Sequence, residues 1–347
     1  MSTVAAPRAP HAHPVRARGS RALVLTAGIV GALALLALAV GLSLAVGAKS
    51  VPLGDVWSAL LHPDDSYTSS VVASRVDRTQ LGVLVGAALA VAGVVIQGLT
   101  RNPLGDPGLL GVNAGASASV VLGILVLGPA AGRSVWTAIP GALLAAVAVY
   151  LIGSGGRRAT PVRLVLAGAA VSAVLVALVE AVSLTQPLVF DSYRVWVVGS
   201  LAGRPPGLVA QVLPFVVVGL VLCALLARPL NALALGDESA TSLGLHAGRT
   251  RLLGGAAATL LCAAAVAAVG PIAFVGLAVP HVVRSFTGSD HRWLLPYCAL
   301  LGPVLLLVSD VVGRVVARPG ELMVGAVTAF VGAPFLIAAV RRGRMGL

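Results

Sequence analysis

The chain has 347 residues, of which 58% are hydrophobic and 10% charged, and its mean hydropathy is +0.99. An average soluble domain is about one-quarter charged, so water cannot solvate this surface and a soluble globular domain is excluded. The formal net charge of +12 rests on Arg, since Lys49 is the single Lys, and the arginines stand one by one in short loops, as membrane topology requires and a nucleic-acid surface does not.

In chain order, residues 1–21 are rich in Pro, Arg and Ala and read as a disordered basic tail. The apolar run 22–47 follows. A signal-peptide core is only about 7–15 residues long, so this run reads as an uncleaved first helix. Further runs occupy 79–100, 113–129, 135–153, 162–185 and 208–227. The stretch 252–286 is too long for one span, which takes about 20 residues, and Gly270-Pro271 in its middle predicts a reversal into a short second helix. Runs 293–313 and 321–340 bring the count to ten, and residues 341–347 form a basic tail. The runs are continuous, without the period-two alternation of barrel strands. The expected fold is all-α: a polytopic membrane protein of about ten transmembrane helices, with the transmembrane domain at 22–340.

An even count puts both termini on one side. Arg8, Arg16, Arg18 and Arg21 precede the first run and Arg341, Arg342 and Arg344 follow the last, so the positive-inside rule makes both termini cytoplasmic. Arg75, Arg78, Arg133, Arg194, Arg204, Arg314 and Arg318 then fall outside and ask for an explanation. Trp57, Trp136, Trp196 and Trp293 lie near run ends, where an interfacial belt would place them. Cys223, Cys262 and Cys298 read as buried small hydrophobes. No His/Cys/Asp metal cluster, paired carboxylates or nucleophile–base set stands out. A phosphate loop needs Gly-x-x-x-x-Gly-Lys-Ser/Thr; the nearest candidate, Gly47-Ala48-Lys49-Ser50, fails on spacing.

Two segments are too polar for their surroundings. Residues 97–119 pack Arg101, Asn102, Asp106, Pro103 and Pro107 between two apolar runs on the cytoplasmic side; this is turn chemistry, with Asn113 as an N-cap. Residues 230–247 carry Asp237, Glu238, Ser239, Thr241 and Ser242, bounded by Gly236 and Gly244, while Ala240, Leu243 and Leu245 give a short amphipathic face. This is an interfacial loop helix, or a helix that docks in the groove of a cytoplasmic partner.

Within the spans, Gln97 reads as helix–helix glue. Glu180 should face the bundle interior or a water-filled path, either as a hydrogen-bonded structural acid or as a path-lining group. Asp310 precedes Arg314 by four residues, so a local pair is expected. His281 reads as structural. An ion-coupled secondary transporter would need more intramembrane coupling groups than Glu180, and a membrane enzyme finds no support.

The quoted residues carry a resemblance. "GAALAVAGVVIQGLTRNPLGDPGLLGVNAGAS" (86–117), "WVVGSLAG" (196–203), "RPLNALALGDESATSLGL" (228–245), "GPIAFVGLAVPHVVRSFTGSDHRWLLP" (270–296) and "SDVVGRVVARPGELMVGAVTAFVGAPFL" (309–336) closely resemble, in order, the permease subunits of ABC importers for iron-siderophores, haem and cobalamin, the FecCD-type family. Arg75-Val76-Asp77-Arg78 stands where that family has Arg-Leu-Pro-Arg, and Met323 stands where Pro is usual.

The resemblance implies a type II ABC importer permease fold in a bacterial plasma membrane. It implies a path shared with a second, identical or paralogous permease, and drive from a separate ATPase present in two copies. ATP and Mg would sit on that ATPase, and this chain would bind no cofactor directly. Leu235, Gly236, Asp237, Glu238, Ala240, Leu243 and Gly244 would couple to the ATPase. Arg75, Arg78 and Arg314 would dock a substrate-binding lipoprotein, lipid-phosphate anchoring being the alternative. Ala159, Thr160, Pro161, Glu180, Gly325, Thr328 and Gly332 would lie along the path or its gate. Gln97, Asn102, Pro103, Pro107 and Gly111 belong to the family's loop. A ferric siderophore is the expected cargo, with cobalamin and haem open.

Overall fold

The computed structural model describes residues 17–47, 49–155 and 161–341. Among them every regular element is helical: α1 (Ala17–Ala45), α2 (Leu53–Leu61), α3 (Tyr67–Thr100), α4 (Val112–Leu127), α5 (Val135–Ser154), α6 (Pro161–Thr185), α7 (Pro187–Trp196), α8 (Leu208–Leu225), α9 (Ala227–Ala234), α10 (Asp237–Ser242), α11 (Ala247–Val269), α12 (Val275–Thr287), α13 (His291–Val316) and α14 (Val324–Arg341), with 3-10 turns at Pro107–Leu110 and Pro129–Arg133. Each predicted run has its helix. Seven of these (α1, α3, α5, α6, α8, α11 and α13) are long and apolar enough to cross a membrane; α4 and the Val324–Pro334 part of α14 are shorter apolar helices, and α12 has 13 residues.

α3 is the axis of the bundle. It packs against α13, α11, α12 and α8, while α4, α5 and α6 form a second group joined to it through α11. Close approach explains why α3 is built from small residues: a Cβ on Gly86 would sit 2.6 Å from Pro303 Cα, and one on Gly302 would sit 2.2 Å from the Gly86 carbonyl oxygen. Dispersion between backbones at this distance holds membrane helices together where no hydrophobic effect can.

Several boundaries differ from expectation. α1 starts at Ala17, inside the predicted tail, and residues 1–16 and 342–347 lie outside the described residues. α3 begins at Tyr67 with Ser66 as its cap, well ahead of the predicted start at 79, because Arg75 and Arg78 find partners inside the fold. Asn113 is not a cap; α4 enters through left-handed Gly111, and Asp106 caps the preceding 3-10 turn by accepting from the Gly108 N–H. The Gly270-Pro271 reversal is present, between α11 and α12. Trp196 is buried against Tyr193 rather than set in an interfacial belt, whereas Trp57 and Trp136 are exposed.

Candidate functional site

Two polar sites stand at opposite ends of the bundle. At the end where α3 stops, Arg101 takes a left-handed conformation (φ 50°) and its backbone N–H returns to Gln97, so the chain leaves the helix sharply. Asn102 Oδ1 accepts the Leu104 N–H, and Pro107 opens the 3-10 turn that Gly111 ends. Gln97 is fully buried: its Nε2 donates to the Gly276 carbonyl of α12 at 3.0 Å and its Oε1 accepts from Arg284 at 3.0 Å. The expected helix–helix role is therefore visible in two bonds.

The side chain of Arg101 reaches the α9–α10 segment. It donates to the Leu233 carbonyl at 2.7 Å and to Asp237 Oδ1 at 2.6 Å. Arg251 at the start of α11 grips the same carboxylate with both Nη atoms at 2.8 Å. Hydrogen bonds from Arg251, then the fields of Arg251 and Arg101, hold the Asp237 carboxyl below the usual carboxylate range. One acid thus binds α10 to the ends of α3 and α11. Single exposed ion pairs contribute about 0–1 kcal/mol, but a bidentate fork with a third donor fixes orientation as well.

That anchoring sorts the predicted coupling residues into two faces. Ala240 is fully buried and Asp237 faces the arginines, whereas Leu235 (69% exposed), Glu238 and Leu243 (64% exposed) point away from the bundle. Gly236 (φ +112°) and Gly244 (φ +79°) take backbone conformations that a side chain would strain. A cavity of about 400 Å³ beside α10 is lined by Leu99, Arg101, Leu235, Glu238 and Arg251. Sequence reading missed Arg101 and Arg251 because their partner lies 136 and 14 positions away.

At the opposite end, Arg75, Arg78 and Arg314 lie close together, and Arg78 and Arg314 meet at Asp310. Arg314 is 2% exposed; it donates to Asp310 Oδ2, to the Ser43 carbonyl (2.8 Å), to the Val46 carbonyl (3.0 Å) and to Ser43 Oγ (2.9 Å). Arg75 donates to the Leu44 (2.7 Å), Ala45 (3.0 Å) and Lys49 carbonyls, and Arg318 to the Gly47 carbonyl (2.6 Å). The Ser43, Leu44 and Ala45 carbonyls belong to the last turn of α1, which leaves them without an intrahelical partner. Val46, Gly47 and Lys49 belong to the turn that follows, and cations suit the negative end of the helix dipole. The expected Asp310–Arg314 pair is present, and Arg78 closes it from the other side, bonding Asp310 at 2.8 Å and Glu321 at 2.7 Å.

Arg75 and Arg314 are buried, with donors committed to carbonyls at and just after the C-terminus of α1 and, for Arg314, to Asp310. Of the three, Arg78 keeps the greatest side-chain exposure, 13%. With Arg75 and Arg314 it borders a cleft of about 410 Å³ at this end of the bundle, beside Lys49, Asp77, Arg204 and Glu321.

The expected path residues are not brought together. Glu180 is exposed on the outer face of α6, not in the interior of this chain. Gly325, Thr328 and Gly332 are buried: the Gly325 N–H donates to the Gly199 carbonyl, Thr328 bonds back to Gly325, and Gly332 packs on Phe274. The open face of α14 carries Phe330 and Val331 instead. Ala159 and Thr160 lie outside the described residues, and Pro161 opens α6. No group of three potential metal ligands occurs among the described residues.

Comparison with known proteins agrees with this geometry. Residues 34–342 match the FecCD transport family. The ferric enterobactin transport system permease protein FepD of Escherichia coli (strain K12) is 47% identical over 331 residues, covering 94% of this chain and 99% of that protein. The Fe(3+)-citrate import system permease protein YfmD of Bacillus subtilis (strain 168) is 38% identical, covering 96% and 98%. A solved inward-facing structure of a metal-chelate type ABC transporter superposes with a TM-score of 0.78 at 27% identity, covering 91% of this chain and 99% of that one. The chain belongs to the FecCD transport family and is a multi-pass permease of the iron-siderophore-type ABC importers.

Proposed function

We propose that this chain, paired with a second permease, forms the translocation path for a ferric siderophore in a bacterial plasma membrane, with both termini in the cytoplasm. A separate ATPase, in two copies, binds ATP and Mg and docks on the α9–α10 segment. A substrate-binding lipoprotein delivers the chelate to the opposite end, where Arg78 and Glu321 face the outer cleft. The observation that carries the reading is the two-faced coupling segment: Asp237 is locked to α3 and α11 while Leu235, Glu238 and Leu243 are left uncovered. An apolar and acidic helix fixed to a rigid base is what a groove on a motor protein can push.

The path lies between permeases, which gives Glu180 and the open faces of α6 and α14 a partner other than lipid. A carboxylate facing hydrocarbon is costly, so its exposed position on α6 supports a neighbour or water there. Higher identity to a ferric enterobactin permease (47%) than to a ferric citrate permease (38%) supports a ferric siderophore of the enterobactin kind as cargo. Uptake of labelled iron tests this, supplied as ferric enterobactin, ferric citrate and a ferric hydroxamate, with labelled haem and cobalamin alongside. ATP-dependent loss of ferric enterobactin uptake on deletion is the expected result. Loss of haem or cobalamin uptake alone would replace the cargo, and ATP-independent uptake would overturn the importer reading.

A further inference from the structure

A partly buried cluster beside the coupling segment, Asn231, Asp290 and His291, has no part in the contacts described so far. Asn231 of α9 reaches the start of α13. Its Oδ1 accepts the His291 backbone N–H at 2.9 Å and lies 2.7 Å from His291 Nδ1, while its Nδ2 donates to Asp290 Oδ1 at 2.6 Å. Asp290 is the N-cap of α13, and its carboxyl is lowered to about 2, chiefly by hydrogen bonds from Arg292. An ionised carboxylate only accepts, which fixes the orientation of the Asn231 amide; its oxygen then requires a proton on His291 Nδ1.

Nε2 is left as a bare acceptor, buried and without a hydrogen-bond partner. It points at α3, where a Cβ on Gly98 would lie 2.7 Å from it. The imidazole is therefore wedged among α3, α9 and α13. Burying an unpaired ring nitrogen is unfavourable, so packing gives no reason for a His in a space that Leu would fill. The reason lies on the other nitrogen, in the link to Asn231.

Resting on the importer reading above, we infer that Asn231 and His291 are positioning residues of coupling. They tie the α9–α10 segment to the first turn of α13, so that its displacement by the ATPase is handed to α13 and α3 instead of being absorbed at the turns flanking α9. α3 and α13 form the largest helix–helix contact of the fold, so a tie at this point moves the centre of the bundle.

The test measures cargo imported per ATP hydrolysed by the complete complex in proteoliposomes, with labelled ferric enterobactin. N231L fills space and removes the whole link, whereas H291L removes its side-chain half, the bond from Nδ1 to Asn231, and keeps the backbone N–H and Asp290 bonds. Both should leave the ATPase bound and hydrolysing while import per ATP falls about ten-fold, a typical coupling factor. H291N, whose amide nitrogen can stand where Nδ1 does, should restore most of the ratio. Wild-type ratios in N231L and H291L would overturn the proposal, as would an H291N as uncoupled as H291L. Should H291L not assemble, N231L decides, because Asn231 is only half-buried. Absence of ATP-driven import by the wild-type complex would instead strike the importer reading itself.

Discussion

Arg314→Lys separates two roles for the outer arginines, because it keeps the charge and removes the fork. In the native chain the guanidinium bridges Asp310 on one side and the Ser43 and Val46 carbonyls on the other. An ammonium is a point donor that cannot span both. The variant leaves either the buried acid or the end of α1 short of its partner. Removing one partner of a buried pair costs about 3–5 kcal/mol, and the loss falls toward the lower end here, because Arg78 still bonds Asp310. Each kcal/mol shifts the Tm of a large domain by about 2 °C, so a fall of about 6 °C is expected for the purified chain in lipid nanodiscs. Binding-protein affinity, measured on the same sample below the transition, should change little, since the charge is retained. An unchanged Tm with lost docking would refute the capping role and return Arg314 to the partner interface.

Three other outcomes follow from the same geometry. Leu243→Asp should abolish co-purification of the ATPase with a Tm within about 1 °C of wild type, because exposed positions rarely matter to stability; a large thermal loss would mean that Leu243 packs internally. Gly86→Ala should destabilise by about 1–3 kcal/mol, the cost of overpacking, read as a lower Tm; an unchanged value would mean that α3 and α13 stand further apart. Asp290 sits at about 2 instead of the ordinary 3.8, so its contribution is complete above about pH 4 and is lost as pH falls toward 2. Hydrogen exchange in the first turn of α13 should rise over that window, and D290N should lack the step.

The apolar runs, the Gly270-Pro271 reversal and the isolated polar segment 230–247 were legible because hydropathy and breaker residues act locally. The polar, glycine-bounded character of that segment was legible too, but Ala240 and Leu243, which the sequence groups on one apolar face, part company in the fold: Ala240 is buried and Leu243 exposed. What escaped were partners fixed by tertiary contact. Arg101 reads as one more cytoplasmic cation until α10 lies beside it, and Asn231 meets His291 across 60 positions. Arg75 and Arg314 read as surface charge because a buried guanidinium is costly unless several carbonyls and an acid converge on it, and that convergence needs α1, α3 and α13 together. α2 and α7 escaped for a different reason: nine and ten residues are too few for a period to show. The burial of Gly325, Thr328 and Gly332 and the exposure of Glu180 were not legible either, because α6 and α14 are apolar all round and carry no periodic mark of which face is covered.

The tie at the end of α1 also sets an order of assembly. α1 enters the membrane first, yet the donors that complete its final turn are supplied by Arg75, some thirty positions later, and by Arg314, 271 positions after Ser43. Arg75 arrives with α3, but until α13 is inserted the Ser43 and Val46 carbonyls must be satisfied by water or lipid headgroups, so α1 has to wait near the interface with its end partly hydrated. A chain cut short before α13 would keep a folded first helix with an open, wet terminus. Completion of the permease is thereby registered, chemically, at its beginning.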